Sequence, residues 1–419
     1  MHLQHRTKAG RTTAAGATLL LLGMTAAGLA RADDSPLPSW SLLGFGSTGV
    51  AYSHNADADY TSSILKASGV GASGRWSSGL DSRIGAQLTI KLAPRWSAVL
   101  QVIGEQNHDK HFQPTVEWAN IKYQASADLA LRVGRIALPT FIAADYRKIG
   151  YAYPWVRPPA EVYGALTLTN SDGVDATYRW HSDGVKHVTQ AFLGSTVVRA
   201  TATRMQARRL AGLTHSAEVG AASARISVLS TELTTDLGAP LFDALRQFGA
   251  QGVTLAERYA VDHKHTVELR IGASYDPGSW FAMGELGGFR SRSLLGRSTS
   301  MHASAGYRVG DFTPYISYAR IRADAAAEPG LELASLAPAL APAGVRLNGE
   351  LRELLSAIPI QRTVSIGARW DCATDVAVKL QFDRVKPEDG SRGLFVHLQP
   401  GFRSGHAINV ASAVLDFVF

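Results

Sequence analysis

The sequence predicts an all-β fold, a transmembrane antiparallel β-barrel of about 16 strands. Three observations predict it. Segments of about 10–14 residues alternate apolar and polar side chains along much of the chain. Very short and very long connections between these segments take turns. The chain then closes on "INVASAVLDFVF", an alternating stretch from Ile408 to the terminal Phe419. A soluble domain usually ends in polar, loosely held residues.

Residues 1–32 read as a cleaved signal peptide. A basic start, "MHLQHRTKAGR", leads into the apolar "ATLLLLGMTAAGLA", and "ARA" at Ala30–Ala32 offers small residues for cleavage. The apolar run falls short of the roughly 18–20 residues that a spanning helix needs. Its removal takes away Arg6, Lys8, Arg11 and Arg31 and no acid, so the net charge falls from +7 to +3. That modest charge argues against nucleic acid as a partner. Cys372 is the one cysteine, so no internal disulfide supports the fold.

Residues 33–419 are expected to form a single barrel domain. Mean hydropathy is −0.02, and no later stretch is apolar for long enough to be a spanning helix. A barrel fits such a composition, because only every second residue has to face lipid.

Strands are expected near 41–52, 79–92, 95–106, 113–125, 128–138, 172–181, 186–196 and 205–216. The second half places them near 220–233, 261–276, 278–289, 298–309, 311–324, 361–373, 374–386 and 406–419. "LDSRIGAQLTIKLA" is the clearest. Leu80, Ile84, Ala86, Leu88, Ile90 and Leu92 share one parity, broken by Ser82; Asp81, Arg83, Gly85, Gln87, Thr89 and Lys91 share the other. A helix would scatter both sets, whereas a strand puts them on opposite faces. "HTVELRIGASY" and "DVAVKLQFDR" follow the same pattern, while 186–196 and 278–289 alternate poorly. A soluble sandwich would also alternate, but its strands are usually about 5–6 residues long.

Short turns are expected at "APR" (Ala93–Arg95), "SAD", "DPGS" and "VGD". Long connections occupy 53–78, 139–171, 234–260, 325–360 and 387–405. In an outer-membrane barrel the short turns are periplasmic and the long loops external. The last strand must pair with the first, since an open edge cannot be satisfied in lipid. Leu415, Phe417 and Phe419 face outward on that closing strand.

"LLGFGSTGVAY" (Leu42 to Tyr52), "LRVGRIALPT" (Leu131 to Thr140), "AVKLQFDRV" and the terminal "LDFVF" together resemble Gram-negative porins. The resemblance covers nearly all of the mature chain. It implies a water-filled barrel in the outer membrane, often a homotrimer, whose third external loop folds inward to narrow the pore. It also implies passive diffusion of small hydrophilic solutes and ions, contact with outer-membrane lipid and lipopolysaccharide, and no cofactor. The terminal strand with Leu415, Phe417 and Phe419 looks like the signal read by the barrel-insertion machinery. The third loop lacks an acidic run of the "PEFGG" sort, which sets it apart from the well-studied general porins.

Residues 139–171 are the expected constriction loop. Tyr146, Tyr151, Tyr153, Trp155 and Tyr163 are many aromatics for a free tip, and Pro154, Pro158 and Pro159 stiffen it. Asp145, Arg147, Lys148, Arg157 and Glu161 are its candidate pore-lining charges. Candidate wall residues are Arg83, Lys91, Arg132, Arg179, Arg270, Arg369 and Lys379, facing Asp81, Asp175, Glu268, Asp371 and Asp383. Seven bases against five acids suggest a mixed lumen with a slight anion preference.

Other signals point elsewhere and fail on context. "GFGSTG" (Gly44, Gly46, Gly49) and "GVGASG" (Gly69, Gly71, Gly74) match a dinucleotide fingerprint but open no helix. In the first, glycine is expected to relieve crowding inside the barrel or let the strand bend. His108 and His111 with Asp109, and His263 with His265, lack the spacing of a closed metal site. "PLFDALRQF" and "LNGELRELLSAI" read as short helices over the loop rim. The alternatives to a channel are a barrel enzyme of phospholipase or protease type, for which no catalytic constellation assembles, and a plugged structural or adhesive barrel.

Overall fold

The computed structural model describes residues 37–419 apart from 64–65, 67–68, 107–110, 165–167, 201–202 and 325–327. The expected signal peptide, and His108 and Asp109, lie outside the described residues. Sixteen long strands follow one another along the chain. They are β1 Ser39–Tyr52, β2 Arg83–Ala93, β3 Trp96–Gln106, β4 Phe112–Gln124, β5 Leu129–Ala137, β6 Asn170–Ser182, β7 Val185–Ala200 and β8 Thr203–Val219. The second half supplies β9 Ala222–Thr235, β10 Lys264–Tyr275, β11 Trp280–Ser291, β12 Arg297–Tyr307, β13 Phe312–Ala323, β14 Gln361–Ala373, β15 Val376–Pro387 and β16 Ile408–Val418.

Each strand pairs antiparallel with its chain neighbour, and β16 pairs with β1 from Phe45↔Val418 to Tyr52↔Ala411. The sheet is therefore closed. The expected number of strands, their order and the closing role of the last one are all observed.

The parity read from the sequence decides which face is which. Ile84, Leu100, Leu213, Leu269, Ile271, Leu286, Ile316, Ile366 and Leu380 are large, apolar and exposed on the outer wall. On a water-soluble surface such a belt would be anomalous; in a bilayer it is what holds the barrel in place. Aromatic pairs cluster near the short turns: Trp96–Tyr123, Tyr275–Trp280 and Phe312–Trp370, with ring centroids 4.7, 5.2 and 5.6 Å apart. Amphipathic rings favour the membrane–water interface.

Two glycines of "GFGSTG" accommodate the closing strand, but on the outer wall and not inside the barrel as expected. The ring of Phe417 lies on Gly46 and that of Phe419 on Gly44; a Cβ at Gly46 would stand 2.4 Å from the Phe417 ring. "GVGASG" lies in the first loop, where Val70–Gly71 pairs with Asp59–Tyr60.

The long connections gather at one rim. The loop between β9 and β10 forms α2 Ala239–Arg246 and α3 Gly249–Tyr259, and the loop between β13 and β14 forms α4 Ala341–Ser356. The loop between β5 and β6 carries a single turn, α1 Ala160–Tyr163. Among the described residues no helix is long and apolar enough to cross a membrane. The sequence reading anticipates α2 and α4 and misses α3. Leu241, Phe242 and Leu245 of α2, Leu255 of α3, and Leu347 and Leu351 of α4 form one core with inward residues of the wall, among them Phe192, Leu210, Leu229 and Leu233. Phe192, an inward apolar residue, breaks the alternation within 186–196. At this end the inner face meets protein instead of water.

Candidate channel constriction

The loop between β5 and β6, described over residues 138–164 and 168–169, enters the barrel and is fastened along the inner wall. Its first turn is held by backbone carbonyls: Pro139 O accepts from Thr214 Oγ1 at 3.1 Å and Thr140 O from Ser227 Oγ at 2.9 Å. Glu285 of β11 then accepts from the Ile142 amide at 3.1 Å and from the Tyr163 hydroxyl. Farther along, Lys379 Nζ of β15 donates to Gly150 O at 2.6 Å and Trp155 O at 3.0 Å, and pairs with Asp416 of β16 at 2.8 Å. Arg369 Nη1 donates to Tyr151 O at 2.5 Å. Tyr153 and Trp155 pack on Phe281 and Tyr315 of the wall. The expected aromatics thus anchor the loop.

Arg157 is the central clamp. It donates to both oxygens of Asp81, to Asp383 at 2.6 Å and to Ser412 at 2.5 Å. Burial alone would depress its guanidinium, but the carboxylates of Asp81 and Asp383 raise it well above its ordinary range. Glu161 accepts from Gln361 at 2.7 Å and from Thr363, while burial holds its carboxyl above the usual range. Arg157 and Glu161 turn their heads to the wall and are almost wholly buried, and Arg157 also borders the cavity beside the loop. A charge on a loop packed against polar walls gains more from fixed partners than from a narrow solvent channel.

The wall residues divide in the same way. Asp81 does not lie on a strand as expected, but in the turn before β2, which begins at Arg83. Lys379, Arg369 and Asp383 point inward and are occupied in holding the loop, with Asp371 bound to Arg369 at 2.6 Å. Arg132 and Asp175 pair across β5 and β6, and Glu268 and Arg270 pair on β10 at 2.5 Å. Arg179 lies half-buried on the inner face of β6, and Lys91 is exposed near the turn rim of β2.

Beside the loop lies a cavity of about 830 Å³ lined by β2–β7. Arg147 and Lys148 reach it from the loop, Arg83 and Glu105 from directly opposed positions on β2 and β3, and Lys66 from the first loop. Arg147 Cζ sits 5.4 Å from the Phe141 ring centroid, and its Nη2 donates to Tyr163 O at 3.1 Å. Lys148 pairs with Glu105. Asp145 is half-buried on the same loop.

Lys66, Glu105, Glu117, Arg135, Asp172 and Arg199 line this cavity and escape the sequence reading. Glu105 shares the inward parity of Gln101 and could have been found by it. Lys66 sits in irregular chain where no periodicity points inward. Its Nζ donates to Leu80 O at 3.3 Å. Burial lowers its ammonium to about 8, against Glu105 and with the help of Arg83.

A belt of large apolar side chains on the outer wall and charged side chains within define an outer-membrane channel protein. A profile of the Gram-negative porins matches residues 16–393, and the chain belongs to that family. It is an outer-membrane channel for passive diffusion of small hydrophilic solutes. No curated protein sequence matches the chain.

Among solved structures, the outer membrane channel DcaP of Acinetobacter baumannii is similar with a TM-score of 0.57 at 10% identity, over 91% of this chain and 97% of that one. OmpF of Salmonella typhi, in complex with daunomycin, gives 0.54 at 12%, over 91% and 98%. An anion-selective porin from Comamonas acidovorans gives 0.53 at 15%, over 91% and 100%. At such identities the likeness is one of fold.

Proposed function

We propose that residues 139–163 narrow the channel and that the narrowed path favours anions. One observation carries this reading. Once the Arg157–Asp81 and Arg135–Asp172 pairs cancel, Lys66, Arg83, Arg147, Lys148 and Arg199 face only Glu105 and Glu117 around the cavity. Low-dielectric walls focus that surplus on a permeating ion. Passage is driven by the solute gradient alone, with no catalytic step and no cofactor.

The experiment is the reversal potential across a potassium chloride gradient in a planar bilayer. Wild-type protein is expected to favour chloride. Arg83→Glu and Lys148→Glu should each cut the chloride-to-potassium ratio by at least about five-fold, since one unit charge is worth about 1 kcal/mol at contact distance in water and each reversal changes two. An unchanged ratio in both variants would place the selective region elsewhere.

The same reading extends to assembly. Residues 1–32 serve as the export signal and residues 33–419 form the barrel, with Leu415, Phe417 and Phe419 engaging the insertion machinery. Family resemblance supports a homotrimer. Arg320, Arg362 and Lys386 stand side by side on the outer wall of β13–β15 near the loop rim, with Glu388 bridging the two arginines, and the remaining positive charge suits the phosphates of lipopolysaccharide.

A further inference from the structure

A second cavity opens under the external helices, and its chemistry differs from that of a hydrophilic path. It has a volume of about 580 Å³, within the roughly 300–1,000 Å³ of small-molecule sites. Leu241 of α2, Leu354 of α4, Phe289 of β11 and Leu394 of the last loop line its sides. Water gains little from such walls, whereas an apolar group gains by entering.

Glu350, Glu353 and Arg392 also stand in the lining, and two further polar features bear on what the cavity can hold. At one side Glu268 and Arg270 are both buried. Arg270 lies across Gly287, where a Cβ would stand 2.7 Å from its Nη1, and stacks 4.2 Å from the Phe141 ring centroid. Its Nε donates to Glu268 Oε1, which leaves Oε2 buried with no hydrogen-bond partner. A buried carboxylate oxygen in that state calls for a donor. The other feature is Lys66, which lines both this cavity and the one beside the constriction.

We propose that this chamber binds solutes with an apolar body and an amino and a carboxylate group at one end, such as amino acids with large apolar side chains. The body lies among the leucines, the ammonium donates to Glu268 Oε2, and the carboxylate faces the cations Arg270 and Lys66. Lys66 then marks the exit toward the constriction. The assignment rests on the solute path proposed above.

The test is block of single-channel current by phenylalanine, 3-phenylpropanoate, phenethylamine and glycine added from the external side. Phenylalanine is expected to lengthen closures at a concentration at least ten-fold below that required of glycine, with the two single-charge analogues weaker than phenylalanine. Glu268→Gln should reduce phenylalanine to the level of 3-phenylpropanoate, and Leu354→Asn should weaken all three aromatic solutes. A β-rich circular dichroism spectrum checks that each variant is folded. Glycine blocking as well as phenylalanine, 3-phenylpropanoate matching it, or Glu268→Gln leaving its block unaltered would overturn the proposal. The reversal potential, read in the same bilayer before solute is added, tests the anion reading separately. Either result can fail while the other stands.

Discussion

Arg157 donates to both oxygens of Asp81, through Nε at 2.8 Å and Nη2 at 2.6 Å, and neither side chain is more than 4% exposed. One residue lies on the inward loop and the other before β2, so the pair ties the loop to the barrel wall across 76 positions of sequence. Removing one partner from a buried pair leaves an uncompensated charge and typically costs about 3–5 kcal/mol. Arg157→Ala is therefore expected to lower the denaturant midpoint and to make the open-channel current noisy as the loop loosens. A quiet current at the wild-type midpoint would show that other contacts hold the loop alone.

Lys66 predicts a pH dependence. Its ammonium is charged well below about 8 and neutral well above it. One cation is thus lost from the path as pH rises from about 7 to about 9. Chloride preference should fall over that range and recover on return. Lys66→Arg keeps the charge throughout and should flatten the profile, because guanidinium does not titrate there. The same fall in the arginine variant would assign the titration to another group.

The closing seam predicts an assembly defect. A Cβ on Gly46 would meet the Phe417 ring at 2.4 Å, and one on Gly44 would meet Phe419 at 2.2 Å. Gly46→Val should slow barrel closure in refolding assays into detergent, and Gly46→Val with Phe417→Ala should recover part of the rate. No recovery in the double variant would separate the glycine's role from the ring.

The external helices predict a separable cap. Leu351 is 1% exposed in the core they share with the wall. Leu351→Ala should cost about 2–5 kcal/mol of cap stability. Faster proteolysis of the loop before β14 in intact membranes, with the strands still protected, is the expected outcome. Uniform loss of strand protection would instead mean that cap and barrel unfold together.

Most of the barrel was legible in the sequence, because a strand exposes its period directly. Ile84 to Leu92 and Val376 to Phe382 declare their faces two residues at a time. The reading weakened where inward residues stopped meeting water. Phe192 and Phe281 point into the barrel yet are apolar, since the external helices cover one and the inward loop covers the other. A period cannot reveal such cover, which comes from distant chain. The same limit applies to the charges. Arg147, Lys148, Arg157 and Glu161 look alike as loop charges. Only the packing sends the first two toward the cavity and the last two into the wall.

The sequence by itself determined the class of fold, the count and order of strands and the closing role of the final one. Each of these follows from local alternation and from the need to leave no backbone edge unpaired in lipid. Tertiary structure alone decided which charges a solute meets. That choice depends on partners such as Asp81 and Asp383, brought from opposite ends of the chain, and the energy of a buried ion depends on where its counter-charge stands.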